Sequence, residues 1–169
     1  LGAHISPSGD TITEAGKLLV KGTITAHDLS ASKLTTAEAY AYQTAIYNKT
    51  MCHTLPATFL TEEQLDTAQS PATQAFLNAY HYNKRFPLSA TYGPTEMCGL
   101  GFTDLIVEQG AQHVALLIKH LRLGKGPIAD HFIIAMDWCQ KVTGFNTSIL
   151  EDVTTRLPHL EEPSWFATT

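Results

Sequence analysis

The sequence predicts a mainly α-helical fold, and three observations carry that expectation. Two capping signatures precede helical stretches, Thr35 with Glu38 and Thr61 with Gln64; in each, a threonine hydroxyl and a side chain three residues on satisfy each other's free backbone N–H groups. Residues at helical spacing form one clear stripe: Leu105, Ile106, Gln109, His113, Leu117, His120 and Leu121, widened by Val114 and Ile118. Glycine and proline supply the stops, with Gly124 and Gly126-Pro127 after that stripe and Gly144 after the next.

Taken in order, Leu1 to Ile5 reads as a short strand that ends in the turn Ser6-Pro7-Ser8-Gly9-Asp10. Thr11 to about Leu29 follows as a helix, with Ile12, Leu18, Leu19, Ile24 and Leu29 at helical intervals and a break expected near Gly22, since Gly16 and Gly22 lower helix preference. Thr35 opens an Ala- and Tyr-rich helix to Met51. Thr61 opens the next, and Ser70-Pro71 reads as the cap and first-turn proline of a further helix to about His81. Residues 86–110 hold two prolines and four glycines, which predicts a defined extended and turning path. The striped helix from Asp104 and one over Ile128 to Val142 complete the helices, and short turns surround Pro158 and Pro163. The organisation expected is residues 1–10 as strand and turn, 11–82 helical, 83–103 a Gly/Pro-rich connection, and 104–169 a helical extension.

At 169 residues and 44% hydrophobic content the chain supports one ordinary domain with a real core, or a lobe of something larger. Only 16% of residues are charged, against a usual quarter, so part of the surface is expected to lie against another domain. The net charge of -5 argues against a free-standing nucleic-acid binder. The deficit is uneven: residues 1–125 carry nine Lys or Arg against ten Asp or Glu, and 126–169 two against six. The middle of the chain can therefore present a local basic patch. Three scattered cysteines, Cys52, Cys98 and Cys139, fit a reducing compartment better than a disulfide framework. No apolar run reaches the roughly 18 residues of a membrane span, so no membrane is expected, and the chain reads as intracellular. A start at Leu1 and an end at Thr169, just after Trp165-Phe166, read as a piece of a longer open reading frame.

One block carries a family resemblance. Phe86-Pro87, Tyr92-Gly93-Pro94, Gly99-Leu100-Gly101-Phe102 and Glu108-Gln109-Gly110 occur in this order, and this resembles the region downstream of the catalytic motif in reverse transcriptases of eukaryotic non-LTR (LINE-like) retrotransposons. Leu1-Gly2-Ala3-His4-Ile5 with its turn is similar to the primer grip of that family. The resemblance covers most of residues 1–140 and implies a primer grip, a helical thumb over Thr11 to Met51 and a helical extension. It implies an RNA template and DNA product duplex as partner, held through its backbone, together with the polymerase palm of the same chain, and a place in cytoplasm and nucleus. Met97-Cys98 departs from the pattern, standing where the family often has another glycine or an aromatic residue.

A polymerase needs paired carboxylates for its metal ions. Adjacent acidic pairs occur only at Glu62-Glu63, Glu151-Asp152 and Glu161-Glu162, none of them after the aromatic-x of the family's catalytic strand. The catalytic aspartates, and the magnesium they would hold, are expected in a palm upstream; the segment itself has no catalytic residue and no cofactor. What it offers is cations. Lys17 and Lys21 stand one helical turn apart, Lys84-Arg85 lies between Tyr82 and Phe86, and Lys119, Arg122 and Lys125 gather at the end of the striped helix. Each set also reads as an ordinary solvated face or a complement to the helix dipole. Thr103 or Asp104 opens a helix whose free N–H groups could meet a phosphate, while Gly99-Leu100-Gly101 also reads as a tight turn burying Leu100 and Phe102. His113 and His120 share a helix face but lie roughly 10 Å apart, too far for one zinc. The alternative from another class is an autonomous helical protein-interaction domain without enzymatic activity.

Overall fold

The structure, a computed structural model, describes Ala3 and residues 10–144. It is mainly helical, with no strand among the described residues. Of the strand and turn expected over residues 1–10 only Ala3 and Asp10 are described, and the turns expected beyond Glu151 lie outside the described residues. The chain divides into two compact units, one ending at Gln109 and one beginning at Gly110.

In the first unit, α1 (Ile12–Ala31) runs unbroken through Gly22 and buries Glu14, Leu18, Gly22, Thr25 and Leu29. The break expected at Gly22 is absent because that glycine is a contact. It lies against the Ala68 carbonyl of α4 (Glu62–Ala79), where a Cα–H can face a carbonyl oxygen at close range. Of the residues read at helical intervals Leu18 and Leu29 are buried in the seam, and Ile12 and Ile24 stay 72% and 54% exposed.

Helix α2 (Thr36–Tyr42) starts on the expected capping box, with Thr35 N–H donating to Glu38 Oε2 at 2.8 Å and Glu38 N–H to Thr35 Oγ1 at 3.4 Å. It passes through a single wider, π-helical turn at Gln43–Tyr47 into α3 (Asn48–Cys52), and a 3-10 turn follows at Leu55–Ala57. The wide turn buries Gln43 and Tyr47. Gln43 Oε1 accepts from the Tyr80 hydroxyl.

Helix α4 begins on the second box, Thr61 with Gln64. It then runs through Pro71, so the separate helix expected from Ser70-Pro71 is corrected to the second half of α4. An interior proline removes one ladder bond and costs about 3 kcal/mol. Burial on both sides of it offsets that cost: Leu65, Ala68 and Gln69 before, Ala72, Thr73, Ala75, Phe76 and Leu77 after. The helix ends in a Schellman motif, with Tyr82 N–H on Leu77 O at 2.8 Å, His81 N–H on Asn78 O at 3.0 Å, and His81 at φ 64°. Phe76 is the centre of the core, ringed by Tyr42, Tyr47, Tyr80 and Phe102 at centroid distances of 5.3 to 6.3 Å.

Two short turns of helix, α5 (Leu88–Thr91) and a 3-10 turn at Thr95–Met97, fill the Gly/Pro-rich segment. Helix α6 (Leu105–Leu123) follows. Of the stripe read from sequence Leu105, Gln109, His113 and Leu117 are buried, while Val114 and Ile118, expected to widen it, are 37% and 42% exposed, so the buried face is narrower than the sequence pattern. The second unit contains the rest of α6 and α7 (Pro127–Thr143), which buries Ala129, Phe132 and Cys139 and is closed by Gly144 in the left-handed conformation. The rings of His120 and Phe132 meet at a tilt, with centroids 5.9 Å apart.

Candidate nucleic-acid interface

The packing of α1 against α4 leaves the Glu14, Lys17, Lys21 side of α1 next to the wide turn and α3. Between them lies a groove of about 690 Å³, lined by those three residues and by Ala45, Ile46, Lys49, Thr50, His53 and Thr54. Lys17 and Lys21 thus share a surface with Lys49, which sequence reasoning did not single out. Nothing local marks Lys49; only the tertiary contact of α1 with α3 brings it there. Glu14 is 2% exposed, and Lys17 Nζ lies 3.7 Å from its Oε2, so the carboxylate in the groove is balanced by a neighbour one turn on. Neither Lys21 nor Lys49 has an acidic partner among the described residues.

The other basic residues singled out from sequence do not line this groove. Lys84 and Arg85 are exposed on the turn after α4, where Arg85 N–H donates to Asn83 Oδ1 at 2.9 Å. The flanking rings of Tyr82 and Phe86 meet each other at a 46° tilt, with centroids 4.7 Å apart. In the second unit Lys119 and Arg122 line a shallow groove of about 590 Å³ on α6 with Ala115, Ile118 and Leu123.

The block 86–110 is held from within. Pro87 O accepts from Ala90 N, Thr91 N and Thr91 Oγ1 at 3.0, 2.9 and 3.1 Å, and Pro94 O from Met97 N and Gly99 N at 3.0 Å each. Leu100 N–H donates to Ala90 O at 2.8 Å, Gly101 N–H to Gly93 O at 2.9 Å and Phe102 N–H to Thr91 O at 3.1 Å. Gly93 and Gly99 touch backbone to backbone: a methyl on Gly99 would lie 2.1 Å from Gly93 O. Phe86, Tyr92 and Leu100 pack on the core beside the buried Phe102, the tight-turn arrangement that the glycines allow.

The start of α6 is also occupied from within the fold. Leu105 N–H donates to Gln69 Oε1 at 3.2 Å and Ile106 N–H to Asp104 Oδ1 at 2.9 Å. Those donors, expected from sequence to be open to a phosphate, are therefore engaged. Gln109 clasps Leu60 with both ends of its amide, Oε1 accepting from the N–H at 3.1 Å and Nε2 donating to the carbonyl at 3.0 Å. Gly110 has open space where a side chain would stand, and nothing in the structure explains a glycine there.

Burial pushes the Tyr80 phenol up to about 12 and the Cys52 thiol up to about 11, and raises Tyr47 and Tyr92 as well. Tyr47 belongs to the core, and Cys52, Tyr80 and Tyr92 are partly buried against it. Among the described residues no three His, Cys, Asp or Glu side chains group as metal ligands, and no helix is long and apolar enough to cross a membrane. The arrangement of the first groove suits an anion held by ammonium groups from two elements. No family model, no curated protein and no solved structure matches the chain.

Proposed function

We propose that this chain is a non-catalytic, thumb-like part of an RNA-directed DNA polymerase of the non-LTR retrotransposon type, one that holds the RNA template and DNA product duplex through its phosphates. The observation that carries the reading is the gathering of Lys17, Lys21 and Lys49 in one groove, in a chain whose charge is otherwise negative. Lysines from two elements can follow a phosphate backbone without reading bases, which is what positioning of a duplex requires. Bond making, and the magnesium it uses, belong in this reading to a palm of the same chain, and the place of work is the cytoplasm and nucleus.

A salt series tests this. The full chain is titrated against an RNA–DNA hybrid between about 50 and 200 mM salt, and log affinity is expected to fall linearly with log salt. Joint replacement Lys17→Ala, Lys21→Ala and Lys49→Ala should shrink that slope by roughly two to three, since each phosphate contact contributes about 0.7 to 0.9. A hybrid that does not bind at 50 mM, or an unchanged slope, overturns the reading.

One observation favours the second reading, a helical protein-interaction domain. Ile134, Trp138 and Val142, spaced four apart on α7, are all exposed, and aromatic and aliphatic side chains of this kind anchor protein interfaces.

A further inference from the structure

We infer that the groove between α1 and α3 holds a built seat for one phosphate group, with the Thr54 hydroxyl as its neutral donor beside the ammonium groups of Lys21 and Lys49. The inference rests on the proposed function only in taking that phosphate to belong to a nucleic-acid strand. Thr54 lines the groove, yet the residue is 3% exposed and its Oγ1 is buried with no hydrogen-bond partner. Buried hydroxyls are nearly always partnered, because one without a partner carries its desolvation cost unrepaid.

The local sequence explains why the fold itself supplies none. Thr54 precedes the 3-10 turn Leu55–Ala57, where a threonine side chain ordinarily accepts from the backbone N–H two or three residues on. Two residues on is Pro56, which has no N–H, and three on is Ala57, whose N–H is taken by the Thr54 carbonyl at 3.1 Å. That carbonyl also accepts the Thr58 hydroxyl at 3.0 Å. A turn of about 120° about the single χ1 angle carries the hydroxyl of threonine to the staggered position its methyl now holds. The hydroxyl of a groove-lining threonine can therefore serve a ligand at small conformational cost.

The ligand chemistry follows from the neighbours. Lys21 and Lys49 bring positive charge from opposite walls, Glu14 is already paired with Lys17, and a hydroxyl donor completes the set. An oxyanion with several acceptor oxygens fits this, and phosphate is the form in which a nucleic-acid strand presents one.

The test compares the full wild-type chain with Thr54→Val, which removes the hydroxyl at nearly constant volume, and Thr54→Ser, which keeps it. For the RNA–DNA hybrid, Thr54→Val should lose on the order of tenfold in affinity at every salt concentration, as for a hydrogen bond to a charged group. The salt slope should stay that of the wild type, because no charge is removed. Thr54→Ser should bind within about twofold of wild type, and the thermal midpoint of Thr54→Val should equal or exceed wild type. A second arm follows the Thr54 methyl resonance during titration with inorganic phosphate, where a saturable shift is expected. If the hybrid binds and Thr54→Val binds it equally well, the seat is overturned and the duplex reading stands. If the hybrid fails to bind but phosphate shifts the methyl resonance, the seat stands and the duplex reading falls. A silent phosphate titration together with an indifferent Thr54→Val overturns the seat. Should Thr54→Val not fold, Thr54→Ala takes its place with the same expected losses.

Discussion

A methyl group placed on Gly22 would lie 2.2 Å from the carbonyl oxygen of Ala68. This single approach sets the spacing of α1 and α4, the most extensively packed helix pair among the described residues.

Gly22→Ala is therefore expected to destabilise the protein although alanine is the better helix former. The oxygen belongs to backbone and cannot swing aside, so the helices must separate, at a cost of about 1–3 kcal/mol that opposes the propensity gain of about 1 kcal/mol. Gly16 on the same helix has nothing within 4 Å of where a methyl would stand, and Gly16→Ala should stabilise by about 0.5–1 kcal/mol. Urea unfolding of the two variants checks the pair; equal signs would mean that Gly22 is not the contact.

Adjacent positions of the Glu-Gln-Gly motif should also respond with opposite signs. Gln109→Ala removes partners from both the N–H and the carbonyl of the buried Leu60, an expected loss of about 2–4 kcal/mol. Gly110→Ala, in open space within α6, should gain about 0.5–1 kcal/mol of helix stability. Thermal midpoints measured side by side decide this, and a mild effect of Gln109→Ala would show that Leu60 finds water instead.

Alkaline pH should unfold the protein early. The folded state holds the Cys52 proton to about 11 and the Tyr80 proton to about 12, against ordinary values of 9.0 and 10.0, and it holds the Tyr47 proton as well. Between those limits the unfolded chain has released protons that the folded chain keeps, so stability is full below about pH 9 and is lost as pH rises toward 12. The urea midpoint is expected to be level up to pH 8.5 and to fall steadily by pH 11, with phenolate absorbance appearing together with unfolding. A midpoint constant across that range would contradict the buried, neutral assignment.

Much of the helical layout was legible because its causes are local. Thr35 with Glu38 and Thr61 with Gln64 announce helix starts within four residues, and the α6 stripe needs only one helix face. What sequence concealed was tertiary. Gly22 reads as a weak point along the chain and becomes a seam only when α4 is present. Pro71 reads as a helix start because nothing near it reveals the buried residues that carry α4 through. Lys49 and Thr54 join Lys17 and Lys21 across some thirty residues of chain, and Gln69 looks like a surface amide until the Leu105 N–H it serves is in place.

The return of Phe102 to Thr91, with Gly93 and Gly99 pressed together between them, makes residues 92–101 a closed eyelet in the thread between α4 and α6. An eyelet adds length without adding travel: the strand of chain leaves it beside the point of entry. Residues inserted near its tip at Thr95–Met97 would lengthen the ring at small entropic cost while the spacing of the helices on either side stays the same. That tip is thus the place on this molecule where a tag or a foreign loop can be spliced in with the rest left as it is.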